Sequence, residues 1–302
     1  MPAIALRDVE KRFGDVPALR GIDLEVDRGE TFGFLGPNGA GKSTTIDLLL
    51  NYSHPTAGVV EVLGYDAEAD PVEIRRRVGV LPEGFSPLGT MTGRQHLAYA
   101  VEASGADDDP DELLEYVGLA HAADRSASGY SKGMAQRLAL AMALVGDPDL
   151  LILDEPSTGL DPHGVRRMRE IIREAVDGGT TVFFSSHILE QVEAVCDRVA
   201  ILNEGRLVAV DSIDGLRETV GAEGTLEVTL ADEPGAVAAA VESIDGVSSV
   251  AVREGGLTVS CGREAKLEVL DRVREAGGTI TDFATADASL EELFVAYTDG
   301  GR

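Results

Sequence analysis

The glycine-rich stretch that decides the fold is Gly36-Pro37-Asn38-Gly39-Ala40-Gly41-Lys42-Ser43-Thr44. It follows a short apolar run at residues 31–35 and precedes a segment of helical character at 43–50. This strand–loop–helix context is the one in which such a loop binds phosphate, and we prefer that interpretation to a chance glycine-rich turn. Glycines let several backbone N–H groups point at one phosphate chain, and the following helix adds the positive end of its dipole. Lys42 is expected to reach the β- and γ-phosphates, and the Ser43 hydroxyl to ligate Mg²⁺.

Two adjacent carboxylates, Asp154 and Glu155, end an apolar strand predicted at residues 150–153. Burying carboxylates at such a place is costly unless a cation or hydrogen bonds compensate. Asp154 is placed to hold Mg²⁺, and Glu155 to polarise the water that attacks the γ-phosphate. Four apolar residues and two acids are a weak signal alone, but after a phosphate-binding loop they indicate nucleotide hydrolysis.

A single histidine, His187, follows a strand predicted at residues 180–185. Lone histidines are more often structural than catalytic, and that alternative stays open here. Open α/β sheets, however, place ligands beyond the carboxyl ends of their parallel strands. We therefore predict that a neutral His187 donates to the γ-phosphate and reports whether it is present.

Three further segments resemble the ATP-binding-cassette family. Tyr130-Ser131-Lys132-Gly133-Met134, with Gln136 after it, resembles the signature loop that is usually Leu-Ser-Gly-Gly-Gln. The segment 156–161, which ends at Asp161, is similar to the loop that follows the catalytic glutamate and communicates across a dimer. Phe13 stands where an aromatic residue stacks on adenine. The order and spacing agree with the family over residues 3–212, roughly two-thirds of the chain.

The resemblance implies the fold and the partners. The fold would be α/β, a P-loop NTPase cassette whose RecA-like core carries an antiparallel β subdomain and an α-helical subdomain at about 84–146. The cofactors would be ATP and Mg²⁺. The signature loop, including Ser131, Lys132, Gly133 and Gln136, would act on nucleotide held by a second ATPase subunit, and Asp161 would communicate across that dimer.

Some residues depart from the family pattern. Glu83 stands in the loop where the family usually has a glutamine; a carboxylate there could still ligate Mg²⁺. Lys132 and Met134 replace small and amide residues of the signature loop, and Phe13 replaces a tyrosine. None of these changes removes a group essential to hydrolysis, so an active ATPase is expected.

The charge balance limits the partners. The chain of 302 residues has 53 acidic and 26 basic residues, a formal net charge of −27, which argues against nucleic-acid binding. Among the basic residues only Lys11, Lys42, Lys132 and Lys266 are lysines. Dispersed acidic charge with arginine replacing lysine is typical of a salt-loving microbe, here interpreted as a halophilic archaeon. An unusually acidic protein from an ordinary cell is the alternative.

Residues after about 222 form a second pattern. The predicted β-α-β-β-α-β order over 225–283 favours a small α+β ferredoxin-like domain, followed by a helix at 289–297. We expect an ATPase domain at 1–218 and an accessory domain at 222–302. No uncharged apolar stretch approaches the roughly 20 residues that cross a bilayer, so any action on a membrane requires a partner. Cys196 and Cys261 are expected to be buried thiols in a reducing compartment.

The appended domain, the Glu83 loop and the Ser-Lys-Gly-Met signature together resemble ATPases of exporter-type systems. The resemblance implies a separate integral-membrane permease, docked near residues 83–94 at the cytoplasmic face of the cell membrane. Two alternatives remain. A translation or DNA-repair ATPase would normally carry two cassettes or long coiled coils, and an importer ATPase often carries a barrel-like C-terminal domain. The transported substrate cannot be read from these residues.

Overall fold

The chain divides into two compact units, residues 1–212 and 213–302. The structure is a computed structural model and describes residues 1–220, 224–231, 234–253, 255–262, 264–286 and 289–299. The first unit ends before the boundary predicted at 218–222, because the helix at 213–220 packs against the last helix of the second unit. Residues 221–223, where the predicted change of pattern begins, lie outside the described residues.

The first unit consists of two sheets with helices around them. Its strands are β1 (Ile4–Phe13), β2 (Val16–Val26), β3 (Thr31–Leu35), β4 (Ala57–Val62), β5 (Tyr65–Asp66), β6 (Val78–Leu81), β7 (Leu150–Asp154), β8 (Thr181–Ser186), β9 (Arg198–Asn203) and β10 (Arg206–Ser212). Its helices are α1 (Lys42–Leu49), α2 (Pro71–Arg75), α3 (Gly93–Ser104), α4 (Pro110–Tyr116), α5 (Lys132–Ala143), α6 (Pro162–Asp177) and α7 (Leu189–Glu193). The strand predicted at 75–81 is therefore shorter than expected, because the short helix α2 occupies its first residue.

The central sheet has the strand order β10-β9-β3-β8-β7-β6. Strands β9, β3, β8, β7 and β6 are parallel, and β10 is an antiparallel edge strand. Every residue of β3, β7 and β8 is buried, as expected for parallel strands covered on both faces. The register pairs Leu35 with Ser186 and Asp154 with Ser185, so these three strands end at one edge of the sheet.

The other parts of the first unit flank this sheet. Strands β2-β1-β4-β5 form an antiparallel sheet, and α3, α4 and α5 contact one another in a helical part. Gly79 allows β6 to pack directly on the end of α5, since a Cβ at that position would lie 1.9 Å from the Ala143 carbonyl oxygen. The predicted P-loop cassette with antiparallel and helical parts is thus confirmed.

The second unit is a four-stranded antiparallel sheet with the order β12-β13-β11-β14. Its elements are α8 (Ile213–Val220), β11 (Gly224–Leu230), α9 (Gly235–Val241), β12 (Val247–Arg253), β13 (Gly256–Cys261), α10 (Ala265–Glu275), β14 (Ile280–Ala286) and α11 (Leu290–Asp299). Val241 of α9 and Val269 of α10 share a buried core with Val228 and Val259 of the sheet. This is the βαββαβ order of a ferredoxin-like fold. None of the helices in the described ranges combines the length and apolar composition that crossing a membrane requires.

Candidate nucleotide site

A cavity of about 220 Å³ lies at the carboxyl ends of β3, β7 and β8. It brings together segments that lie far apart in the sequence: the glycine-rich loop, the two adjacent carboxylates, the loop after β6 and the histidine after β8. The lining residues are Ala18, Pro37, Asn38, Gly39, Gly41, Lys42, Ser43, Thr44, Glu83, Asp154, Glu155 and His187. Of the predicted loop residues, Gly36 and Ala40 do not line the cavity.

The glycine-rich loop wraps closely because two of its glycines are in the left-handed region, Gly39 at φ 82° and Gly41 at φ 116°. At Gly41 a side chain is also excluded by packing, since a Cβ there would lie 2.9 Å from the Ala18 carbonyl oxygen. Helix α1 begins directly after Gly41, at Lys42. Its N-terminal N–H groups and positive dipole end therefore lie at a cavity able to hold a phosphate chain.

Lys42 is a buried cation, with only 7% of its surface exposed. Its Nζ donates to the Gly36 carbonyl oxygen at 2.7 Å, and it forms no ion pair with any residue in the described ranges. A buried ammonium is stabilised only when a counter-charge or several hydrogen bonds compensate for its lost hydration. Carboxylates line the same cavity but, in the described ranges, none contacts Nζ directly, and a nucleotide phosphate would supply that direct contact.

Asp154 lies at the end of β7, and Ser185 Oγ donates to its Oδ1. The pKa of Asp154 is raised, chiefly because burial disfavours the charged carboxylate. The Ser185 hydrogen bond opposes this shift, as does Lys42, whereas Glu83 and Glu155 add to it. The Ser43 hydroxyl and the Glu83 carboxylate line the same cavity.

These oxygen donors fit Mg²⁺, which binds through one or two carboxylates together with nucleotide phosphates and water. A cluster of three or more His, Cys, Asp or Glu side chains arranged for a metal is absent from the described part of the chain. The ion would therefore depend on the nucleotide and on water for its remaining ligands.

Glu155 is held by three groups at the end of β8. Its Oε1 lies 2.8 Å from His187 Nδ1, Ser186 Oγ donates to its Oε2 at 3.3 Å, and its backbone N–H donates to the Ser185 carbonyl oxygen. Glu155 has a φ of 48°, an uncommon conformation for a residue with a side chain. Such conformations persist where the surroundings enforce them, and they cluster at functional sites. The carboxylate predicted to act as a base is thus fixed at the rim of the cavity.

The signature-loop residues lie outside the cavity of their own chain. Ser131 caps α5, with its Oγ accepting from the Met134 N–H at 3.2 Å. Lys132 is exposed and its aliphatic stem packs against Gly159. The predicted action of Gln136 on a second chain stays a prediction. Gln136 is only 6% exposed, and its Nε2 donates to the Glu155 carbonyl oxygen of the same chain at 3.4 Å.

Two other predicted residues also lie away from the cavity. The ring of Phe13, at the end of β1, is 53% exposed, with Lys11 Nζ 4.9 Å from its centroid. An exposed ring is available for stacking on a base. The contact of Phe13 with adenine stays a prediction. Asp161 caps α6 by accepting from the Gly164 N–H at 2.7 Å. Its predicted role across a dimer also stays a prediction.

Ser185 and Ser186 are the site residues that the sequence reasoning missed. Both are fully buried, and each donates to one of the two adjacent carboxylates. The available signal was that two polar residues end an otherwise apolar strand directly before His187. Buried hydroxyl groups need hydrogen-bond partners. Two consecutive serines at the end of a buried strand could therefore have been predicted to donate to the two carboxylates.

Known proteins match both the sequence and the fold. A family model described as "ABC transporter" matches residues 19–158. The daunorubicin resistance ATP-binding protein DrrA3 of Streptomyces coeruleorubidus is 36% identical over 307 residues, which cover 99% of this chain and 97% of that protein. The chain belongs to the ATP-binding-cassette (ABC) transporter family.

Other ABC proteins agree with this assignment. The Nod factor export ATP-binding protein I of Burkholderia lata is 39% identical over 246 residues, covering 78% of this chain and 81% of that protein. A solved structure described as the ATP binding subunit of an ABC transporter superposes with a TM-score of 0.68 at 31% identity. The superposition covers 72% of this chain and 93% of the chain in that structure. This ABC chain is therefore an ATP-binding and ATP-hydrolysing transporter subunit.

Proposed function

We propose that this chain is the motor of an ABC exporter, which pairs with a second ATPase subunit and drives a separate membrane permease. The observation that carries the pairing is the position of the signature loop. The nucleotide cavity holds the phosphate loop and the catalytic carboxylates, whereas Ser131, Lys132 and Gly133 do not line it. A signature loop that lies outside the cavity of its own chain is placed to act on the nucleotide of another subunit.

The chemistry assigned to the cavity is phosphoryl transfer to water. Lys42 and the N–H groups of the loop hold the phosphate chain, and Glu155 orients and polarises the attacking water. Ser43, Asp154 and Glu83 would hold Mg²⁺, which when bound neutralises charge on the β- and γ-phosphates. His187 is close enough to Glu155 to keep its carboxylate in one orientation while its ring faces the cavity rim.

The permease is proposed to dock on a neighbouring groove of about 480 Å³ that includes Tyr52, Phe85 and Met142. Glu83 lines both this groove and the nucleotide cavity, so one loop touches both sites. The far end of that loop is held to α3, because the Leu88 N–H donates to His96 Nε2 at 2.9 Å. A change at the nucleotide could therefore reach a docked permease through this loop.

Export, rather than import, is proposed because one relative is named for daunorubicin resistance and another for Nod factor export. The ferredoxin-like second unit also differs from the barrel-like domain of importer ATPases. Within this proposal the first unit is the nucleotide-binding domain and the second is an accessory domain. The place of action would be the cytoplasmic face of the cell membrane, where the permease is embedded.

The pairing is tested by light scattering on Glu155→Gln, which removes the base but keeps a side chain of the same size. We expect this variant to become a dimer with ATP and Mg²⁺ and to stay a monomer with ADP. Lys42→Met in the same background is the control that lacks the phosphate contact and should stay monomeric. A Glu155→Gln protein that remains a monomer at saturating ATP, in both dilute and molar KCl, would refute ATP-driven pairing.

The net charge of −27 supports a further proposal, that the protein is adapted to molar salt as in a halophilic organism. Self-repulsion between acidic residues destabilises the compact state, and salt screens it. We expect the melting temperature to rise by several degrees, and ATP turnover to increase, between dilute buffer and molar KCl. Sucrose at matched osmolality controls for solute exclusion from the surface. Equal stability and activity in dilute buffer would exclude the adaptation.

A further inference from the structure

Strand β8 ends with two consecutive serines, Ser185 and Ser186, and the neighbouring β7 ends with Asp154, which Glu155 follows. Ser185 Oγ donates to Asp154 Oδ1, and Ser186 Oγ donates to Glu155 Oε2 at 3.3 Å. Ser185 and Asp154 are direct neighbours in the register of the two parallel strands. Successive side chains of a strand point to opposite faces, so each serine can serve only one of the acids.

We propose that Ser185 is a positioning residue for Mg²⁺ binding, because it fixes the Asp154 carboxylate that would hold the ion. This inference rests on the proposed function, in which Asp154 is a magnesium ligand. A serine hydroxyl has a single donor, and here it occupies Oδ1, which leaves Oδ2 of the same carboxylate for the ion or its water. Ser186 has the corresponding role for Glu155, the proposed base, to which its hydroxyl donates.

Burial makes the Ser185 contact consequential. Both Ser185 and Asp154 are buried, and within the described ranges the Ser185 hydroxyl is the one side-chain group that donates to the Asp154 carboxylate. A buried carboxylate that loses its donor becomes less favourable in its charged form and free to rotate about its side-chain torsions. Removing the hydroxyl should therefore weaken the magnesium-dependent part of nucleotide binding. The part that depends on the glycine-rich loop and Lys42 should remain.

The two parts are separated by measuring the affinity for a non-hydrolysable nucleotide, adenylyl imidodiphosphate, with Mg²⁺ and with EDTA. The ratio of the two dissociation constants is the magnesium gain. We expect Ser185→Ala, in the full chain, to lower this gain about tenfold, as for a lost hydrogen bond to a charged group. The dissociation constant in EDTA should stay within about twofold of wild type, because its loop contacts are unchanged.

Three further variants make the test specific. Ser185→Thr keeps the hydroxyl and should restore the magnesium gain. Ser186→Ala is the matched control on the neighbouring residue: it should keep the magnesium gain and lower kcat for ATP, since its partner is Glu155. Ser185→Cys, which keeps the size and only a weak donor, should give an intermediate gain. The cysteine variant replaces Ser185→Ala in the test if circular dichroism shows that the alanine variant is unfolded.

The outcomes separate this inference from the proposed function. If wild type shows no magnesium gain, Asp154 is not a magnesium ligand, and the proposed site and the inference both fail. If wild type shows the gain and Ser185→Ala keeps it in full, only the positioning role of Ser185 is overturned. An equal loss of affinity in Mg²⁺ and in EDTA would overturn it too, because it would indicate general damage to the loop.

Discussion

Glu155→Gln is expected to abolish most ATP turnover while leaving ATP bound. General-base catalysis typically contributes a factor of about 10²–10⁴, so we expect kcat to fall by at least about a hundredfold. The amide has nearly the shape of the carboxylate, and it can still contact Ser186 and His187. What it loses is the negative charge that is proposed to polarise the attacking water. The loss should therefore appear in kcat rather than in the affinity for nucleotide.

The measurement is phosphate release at saturating ATP and Mg²⁺, together with equilibrium ATP binding on the same preparation. Glu102→Gln is the control, since it removes the same charge from an exposed position on α3. It should keep wild-type turnover. Turnover by Glu155→Gln near that of wild type would show that Glu155 is not the base, and Asp154 or Glu83 would then become the candidates.

The phosphate loop and the carboxylate pair could be predicted because each is a short contiguous motif. Once Gly36–Thr44 is placed after one parallel strand and Asp154 after another, the geometry of a parallel sheet brings the two together. No knowledge of distant side-chain packing is needed for that step. His187 followed from the same rule, because β8 lies between β3 and β7 and ends at the same edge.

What could not be predicted depends on the register between elements distant in sequence. The pairing of Ser185 with Asp154 exists because β7 and β8 are aligned as they are, and one residue of slip would turn the serine to the other face. Gln136 belongs to the segment that resembles a signature loop, yet its side chain on α5 is buried within its own chain. The spacing of motifs along the sequence determines neither the register between two strands nor which face of a helix is buried.

Lys42→Met is expected to remove nucleotide binding itself, the second large effect. The ammonium is buried beside the phosphate loop, and within the described ranges its one hydrogen bond goes to the Gly36 carbonyl oxygen. Charge-assisted hydrogen bonds are about twice as strong as neutral ones, and a buried phosphate without its cation is strongly destabilised. We expect the dissociation constant for ATP to rise by about a hundredfold, corresponding to roughly 3 kcal/mol.

Methionine keeps most of the length and apolar stem of lysine, so the protein should fold and the effect should report the lost charge. Lys266→Met in the second unit makes the same change in net charge and should leave ATP binding unaltered. Binding is measured with Mg²⁺ and with EDTA, because loss of a phosphate contact lowers affinity in both, unlike the loss expected for Ser185→Ala. A Lys42→Met protein that binds ATP as wild type does would mean that the backbone N–H groups of the loop hold the phosphates without it.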